Sequence, residues 1–113
     1  MSNPTNEFYA KFQKDVGKMQ TLCPDTINGF MGMFGKIMGE GALSVKQKEL
    51  IALSLGVASS CTPCIRLHVQ KAKAAGATKE EMIEAASVAV MMAGGPAFTH
   101  IPAVIDAIEA LGV

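Results

Sequence analysis

The chain has 113 residues, half of them apolar and 18% charged, with ten basic and ten acidic side chains that cancel. It has no Lys/Arg run, and its five Phe and one Tyr are not interleaved with cations, which argues against the basic footprint that nucleic-acid binding needs. The length fits a single domain, taken as 1–113, and the mean hydropathy of +0.30 predicts that part of the apolar surface is covered by other copies of the chain.

The leading residues Met1-Ser2-Asn3-Pro4-Thr5 have neither the basic segment nor the apolar segment of a secretory signal. The longest apolar run, Ala85 to Ala93 with Ser87 inside it, is well short of the ~20 residues of a membrane span. The expectation is a protein of the cytoplasm with no membrane partner. An odd cysteine count (Cys23, Cys61 and Cys64) speaks against a secreted disulfide scaffold. In a reducing compartment, a close Cys pair is expected to be catalytic or metal-binding.

Helix signals dominate, and strand alternation is nearly absent. Pro4 suits a first helical turn; Phe8, Phe12, Val16 and Met19 then recur at helical spacing up to a stop before Pro24. Asp25 or Thr26 can open a second helix through Ile27, Phe30, Phe34 and Ile37, although its glycines weaken it. After Gly39 and Gly41, Ser44-Val45-Lys46-Gln47 reads as a capping box, and the helix it starts is apolar nearly all round through Leu50, Ile51, Leu53, Leu55 and Val57. Such a helix is expected to be buried. Ser60 is the expected cap of the next helix, with Pro63 in its first turn and a stop at Gly76. Thr78-Lys79-Glu80-Glu81 is a second capping box, whose helix reaches Ala93 and ends at Gly94-Gly95-Pro96. A last helix spans roughly Ala97 to Leu111, so the fold class is all-α, a compact six-helix domain.

The chemistry concentrates in Cys61-Thr62-Pro63-Cys64 and in His68. Residues three or four apart share a helix face, so Cys61, Cys64 and His68 should line one stripe of the helix's first turns. A helix N-terminus carries about half a positive charge, and thiols of a Cys-x-x-Cys pair placed there ionise at roughly pH 3.5–7.5. His68, one turn on, can take or return a proton near neutral pH. Glu49 lies in the first turns of the preceding helix among Leu50 and Ile51, where a carboxylate needs a partner. If the two helices are antiparallel, the start of the first faces the end of the second, and a bend or a crossing is needed to bring Glu49 to His68; the sequence leaves this open.

Lys48-Glu49-Leu50-Ile51-Ala52-Leu53, the Cys61, Cys64 and His68 set, Lys71-Ala72 with Ala75-Gly76-Ala77, and Glu80-Glu81 with Glu84-Ala85 together resemble the carboxymuconolactone decarboxylase superfamily. More closely, they resemble its alkylhydroperoxidase D-like branch, over roughly Leu43 to Gly95. The resemblance implies an all-α fold assembled as trimers or hexamers. It also implies a dithiol that reduces peroxides, or the oxidised disulfide of a partner peroxidase, with no tightly bound cofactor and with an external dithiol reductant of the lipoamide type or another kind. In that branch a Glu, both Cys and a His form a proton relay, which maps onto Glu49, Cys61, Cys64 and His68. The chain departs from well-known members at Pro63, where they carry a His; this bears on substrate and redox poise more than on thiol chemistry.

Two other readings remain open. One is a lactone decarboxylase, the activity that names the superfamily, although that branch generally lacks the dithiol. The other is a zinc-stabilised interaction protein, with His100 or Glu49 adding to Cys61, Cys64 and His68. The expectation is that no metal is held. Cys23 is expected to be an inert buried thiol, His100 to cap or pair within the last helix, and the eight Met residues to fill cores or subunit contacts.

Overall fold

The structure, a computed structural model, describes residues 3–113. The expected domain and the leading segment both begin at Met1 and Ser2, which lie outside the described residues. Seven α-helices and no strand occur among the described residues: α1 (Pro4–Leu22), α2 (Pro24–Ile37), α3 (Val45–Ala58), α4 (Thr62–Ala74), α5 (Lys79–Ala93), α6 (Gly95–Phe98) and α7 (Ile101–Leu111). Six correspond to the expected helices, and the four-residue α6 is the additional one.

Local chemistry sets most of the boundaries. The Asn3 side chain accepts the Thr5 amide at the start of α1. Both capping boxes form, Ser44 with Gln47 on α3 and Thr78 with Glu81 on α5, each satisfying two orphan amides. Gly76, at φ 89°, ends α4: the amide of Ala77 bonds to the Ala72 carbonyl and that of Gly76 to the Lys73 carbonyl. α2 begins at Pro24, just ahead of the expected Asp25 or Thr26, because proline suits the first helical position. The last helix is not continuous. Thr99 and His100 form a turn between α6 and α7, where the Pro102 ring would collide with the Phe98 carbonyl of an unbroken helix. The imidazole Nδ1 of His100 bonds to the Pro96 carbonyl at 2.7 Å, so the residue does pair within this segment.

The core lies among α3, α4, α5 and α7. Leu53 and Val57 of α3 meet Ile65 and Val69 of α4, Met82 and Ala86 of α5, and Val104 and Ala107 of α7, all of them buried. α1 and α2 form a hairpin at the side of this core, each with a single buried residue, Thr5 and Ile27 respectively. Lys48 of α3 ties down the end of α2, its ammonium donating to the carbonyls of Ile37 at 2.7 Å and Gly39 at 2.6 Å.

Two expectations are corrected here. α3 is not buried all round: Ile51 and Leu55 are 48% and 64% exposed, because only one face of the helix meets α4 and α5. Cys23 is half-buried rather than buried, since it occupies the open junction between α1 and α2. Leu22, Met91, Met92 and Phe98 are also largely exposed, so much apolar surface lies outside the core of a single chain. No described helix is long and apolar enough to cross a membrane.

Candidate active site

The site begins where α3 ends. The Ser60 amide bonds to the Val57 carbonyl and the Cys61 amide to that of Gly56, a helix stop that puts Ser60 in the left-handed region at φ 56°. Ser60 is therefore used in ending α3 and does not cap α4. That position falls to Cys61, whose sulfur accepts the Cys64 amide at 3.3 Å. Pro63 sits in the first turn of α4, where its missing N–H leaves no bond unmade. Cys61 and Cys64 are joined in a disulfide, with their Cα atoms 5.2 Å apart.

α3 and α4 run antiparallel, and their register decides the rest. A Cβ built on Gly56 would lie 3.2 Å from the Cys64 Cβ, so the helices pack tightly beside the thiols and an added methyl would have to displace its neighbours. Counting two turns away from that crossing on each helix brings Glu49 level with Lys71, one turn beyond His68. The two long side chains close that gap: Glu49 Oε1 and His68 Nδ1 are 2.7 Å apart. Antiparallel packing therefore does not hold the two apart, because His68 lies mid-helix rather than at the helix's start.

Glu49 is only 4% exposed, and its partner is that imidazole. With the carboxylate accepting from Nδ1–H, the other ring nitrogen, Nε2, is left as a proton acceptor. His68 and Cys64 both line a partly open cavity of about 330 Å³ between α1, α2 and α4. Its remaining walls come mainly from Phe12, Val16, Phe30, Met31, Phe34 and Leu67, and the Phe34 ring stacks on His68 with centroids 6.1 Å apart. Tyr9 closes one side, its hydroxyl donating to the Arg66 carbonyl, and burial pushes its pKa up to about 12.

These wall residues escaped the sequence reading. Phe12 and Val16 follow helical spacing, which does not distinguish a cavity wall from a core. Phe30 and Phe34 gave the clearest signal, an aromatic pair one turn apart on a glycine-rich helix that could not bury itself well. His100 lies in the turn between α6 and α7, and among the described residues no three His, Cys, Asp or Glu side chains are grouped so as to hold a metal ion.

A sequence profile described as the carboxymuconolactone decarboxylase family matches residues 24–107, which contain Glu49, both cysteines and His68. The chain belongs to that family. A family member from Legionella pneumophila, solved in its apo form, superposes with a TM-score of 0.85 at 32% identity over 98% of this chain and 96% of its own. Another, from Thermotoga maritima, is described as a possible participant in an antioxidative response. It gives a TM-score of 0.81 at 24% identity over 92% and 89% of the two chains, a likeness that establishes the fold. An uncharacterised protein of the Paracoccus denitrificans cox locus is 36% identical over 73 residues, a stretch covering 65% of this chain and 66% of that relative.

Proposed function

We propose that this family member is a thiol–disulfide oxidoreductase. Its Cys61–Cys64 dithiol reduces a peroxide, or the disulfide of a partner peroxidase, in antioxidant defence, and an external dithiol restores it. The observation that carries this reading is the bonded Cys pair at the start of α4, one turn from an imidazole oriented by a buried carboxylate.

Cys64 lines the cavity together with His68 and is the thiol that substrate meets. His68 takes its proton at Nε2, and Glu49 stabilises the imidazolium that forms. The Cys64 thiolate attacks the terminal peroxide oxygen: an S–O bond forms, the O–O bond breaks, and the departing alkoxide takes the proton back from His68. Cys61 then attacks the Cys64 sulfur. The S–S bond forms, the S–O bond breaks, and hydroxide leaves as water with the Cys61 proton. One hydroperoxide and one dithiol thus give an alcohol, water and the disulfide. For recovery, a donor thiolate attacks Cys64 and Cys61 leaves as a thiolate, held by the Cys64 amide and the helix N-terminus. The donor's second thiol then releases Cys64 and takes the disulfide away.

Single Cys→Ser variants assayed with peroxide and dithiothreitol test these roles. Cys64→Ser should not turn over, whereas Cys61→Ser should keep slow turnover because dithiothreitol reduces its sulfenic acid directly. Given peroxide without dithiothreitol, Cys61→Ser should accumulate a sulfenic acid that a dimedone probe captures, and Cys64→Ser should not. Sustained turnover by the double variant would overturn the reading. The same proposal has the chain assemble with copies of itself, for which the exposed Leu55, Met91, Met92 and Phe98 speak; light-scattering mass tests that part.

A further inference from the structure

The cavity above Cys64 has one property that the redox reading does not use. Its walls are mostly apolar, with the uncharged Gln13 and Gln70 among them; no Asp or Glu lines it, and apart from His68, already engaged by Glu49, its single cation is Lys71. Four other lysines of the chain have partners. Lys11 pairs with Asp15 and Lys46 with Glu81, Lys48 holds two carbonyls, and Lys73 donates to the Leu111 carbonyl. Lys71 makes no ion pair among the described residues, and its ammonium stands 5.0 Å from the centroid of the Phe34 ring, itself a cavity wall. Lys71 is a half-buried residue beside a mostly apolar chamber and has no counter-ion among the described residues, so an anion arriving there gains a charge-assisted bond.

Helix geometry sets the span. Cys64 and Lys71 are two turns apart on the same face of α4, about 10 Å along the axis, with His68 between them. A ligand lying along α4 therefore meets a thiol at one end, an ammonium at the other, and mostly apolar walls between.

We propose that the substrate is an amphipathic organic hydroperoxide with its hydrocarbon chain in this cavity, its hydroperoxide at Cys64 and a terminal carboxylate on Lys71. The proposal rests on the redox reading above and adds the substrate class. Electron flow is unchanged: the O–O bond is reduced to an alcohol and water as the two thiols become a disulfide, and the carboxylate takes no part in the chemistry. Lys71 is a binding and positioning residue.

The test is the rate of Cys61–Cys64 oxidation by linoleic acid hydroperoxide and by its methyl ester, both below micelle-forming concentration, with hydrogen peroxide alongside. A charge-assisted bond at a half-buried site predicts about a tenfold preference for the acid over the ester. The preference should shrink as salt is added. In Lys71→Met the acid-to-ester ratio should fall to about one, and Lys71→Arg should restore it. Equal rates for acid and ester in the wild type would overturn this proposal and leave the redox reading standing, as would a preference that survives in Lys71→Met. If none of the three peroxides oxidises the pair, the peroxide reading fails and this inference falls with it.

Discussion

The approach of α3 to α4 beside the thiols can be tested with one methyl group. In Gly56→Ala the new Cβ would stand 3.2 Å from the Cys64 Cβ, 3.4 Å from the Ile65 nitrogen and 3.5 Å from the Cys64 carbonyl carbon. Two of these are backbone atoms of a capped helix start, so none can swing aside as the tip of a flexible side chain would. Overpacking of this kind costs about 1–3 kcal/mol. Against it stands the gain of about 1 kcal/mol for replacing a helix-interior glycine with alanine. The net expectation is a loss of roughly 0–2 kcal/mol. Gly17, exposed in the middle of α1, supplies the control, because nothing lies within 4 Å of an added Cβ. Gly17→Ala should therefore stabilise by about 1 kcal/mol. Urea unfolding of the disulfide form measures both: Gly17→Ala should raise the midpoint, and Gly56→Ala should leave it unchanged or lower it. Equal stabilisation by the two substitutions would refute the close crossing and the register built on it.

Glu49→Gln preserves shape and a hydrogen bond to the imidazole while removing the charge; dithiol oxidation followed by stopped flow should slow about ten- to hundredfold, by analogy with other imidazoles that lose an orienting carboxylate. An unchanged rate would remove Glu49 from the relay. Tyr9 is the single tyrosine of a chain without tryptophan, so its near-ultraviolet ionisation can be read directly, with a midpoint at about 12 against the ordinary 10.0. Because the folded value is raised, the stability that this group contributes is fully present below pH 10.0 and is lost as pH rises through about 12, a decline that alkaline unfolding should show and Tyr9→Phe should lack. Thr5 is buried, and its hydroxyl has no partner among the described residues. Thr5→Val should leave the fold intact and stabilise it by about 1 kcal/mol, whereas a loss of that size would show that the hydroxyl is paired.

Features that depend on a few neighbouring residues could be read directly from the chain. The boxes at Ser44 and Thr78 and the stop at Gly76 are of this kind, since donor and acceptor lie within one turn. The start of α4 was harder: Ser60 can cap a helix or end one, and the demand of α3 for a terminating residue prevailed, passing the cap to Cys61. Cys64 and His68 share a stripe through helical spacing alone, so half of the candidate site was legible. The hydrogen bond with Glu49 was not, because it depends on the register between two helices that pack closely at Gly56. The cavity was further out of reach. Its walls come from three helices, and α1 and α2 carry residues such as Phe12 and Phe30 whose spacing suits a core equally well.

The most direct test of the account is a redox titration of the protein across a dithiol buffer series, counting free thiols by mass after alkylation. Two thiols should disappear together, map to Cys61 and Cys64, and leave Cys23 free, at a midpoint between roughly −180 and −300 mV, where cellular dithiol couples operate. A pair that stays reduced throughout the series, or a loss that involves Cys23 instead, would contradict the dithiol mechanism.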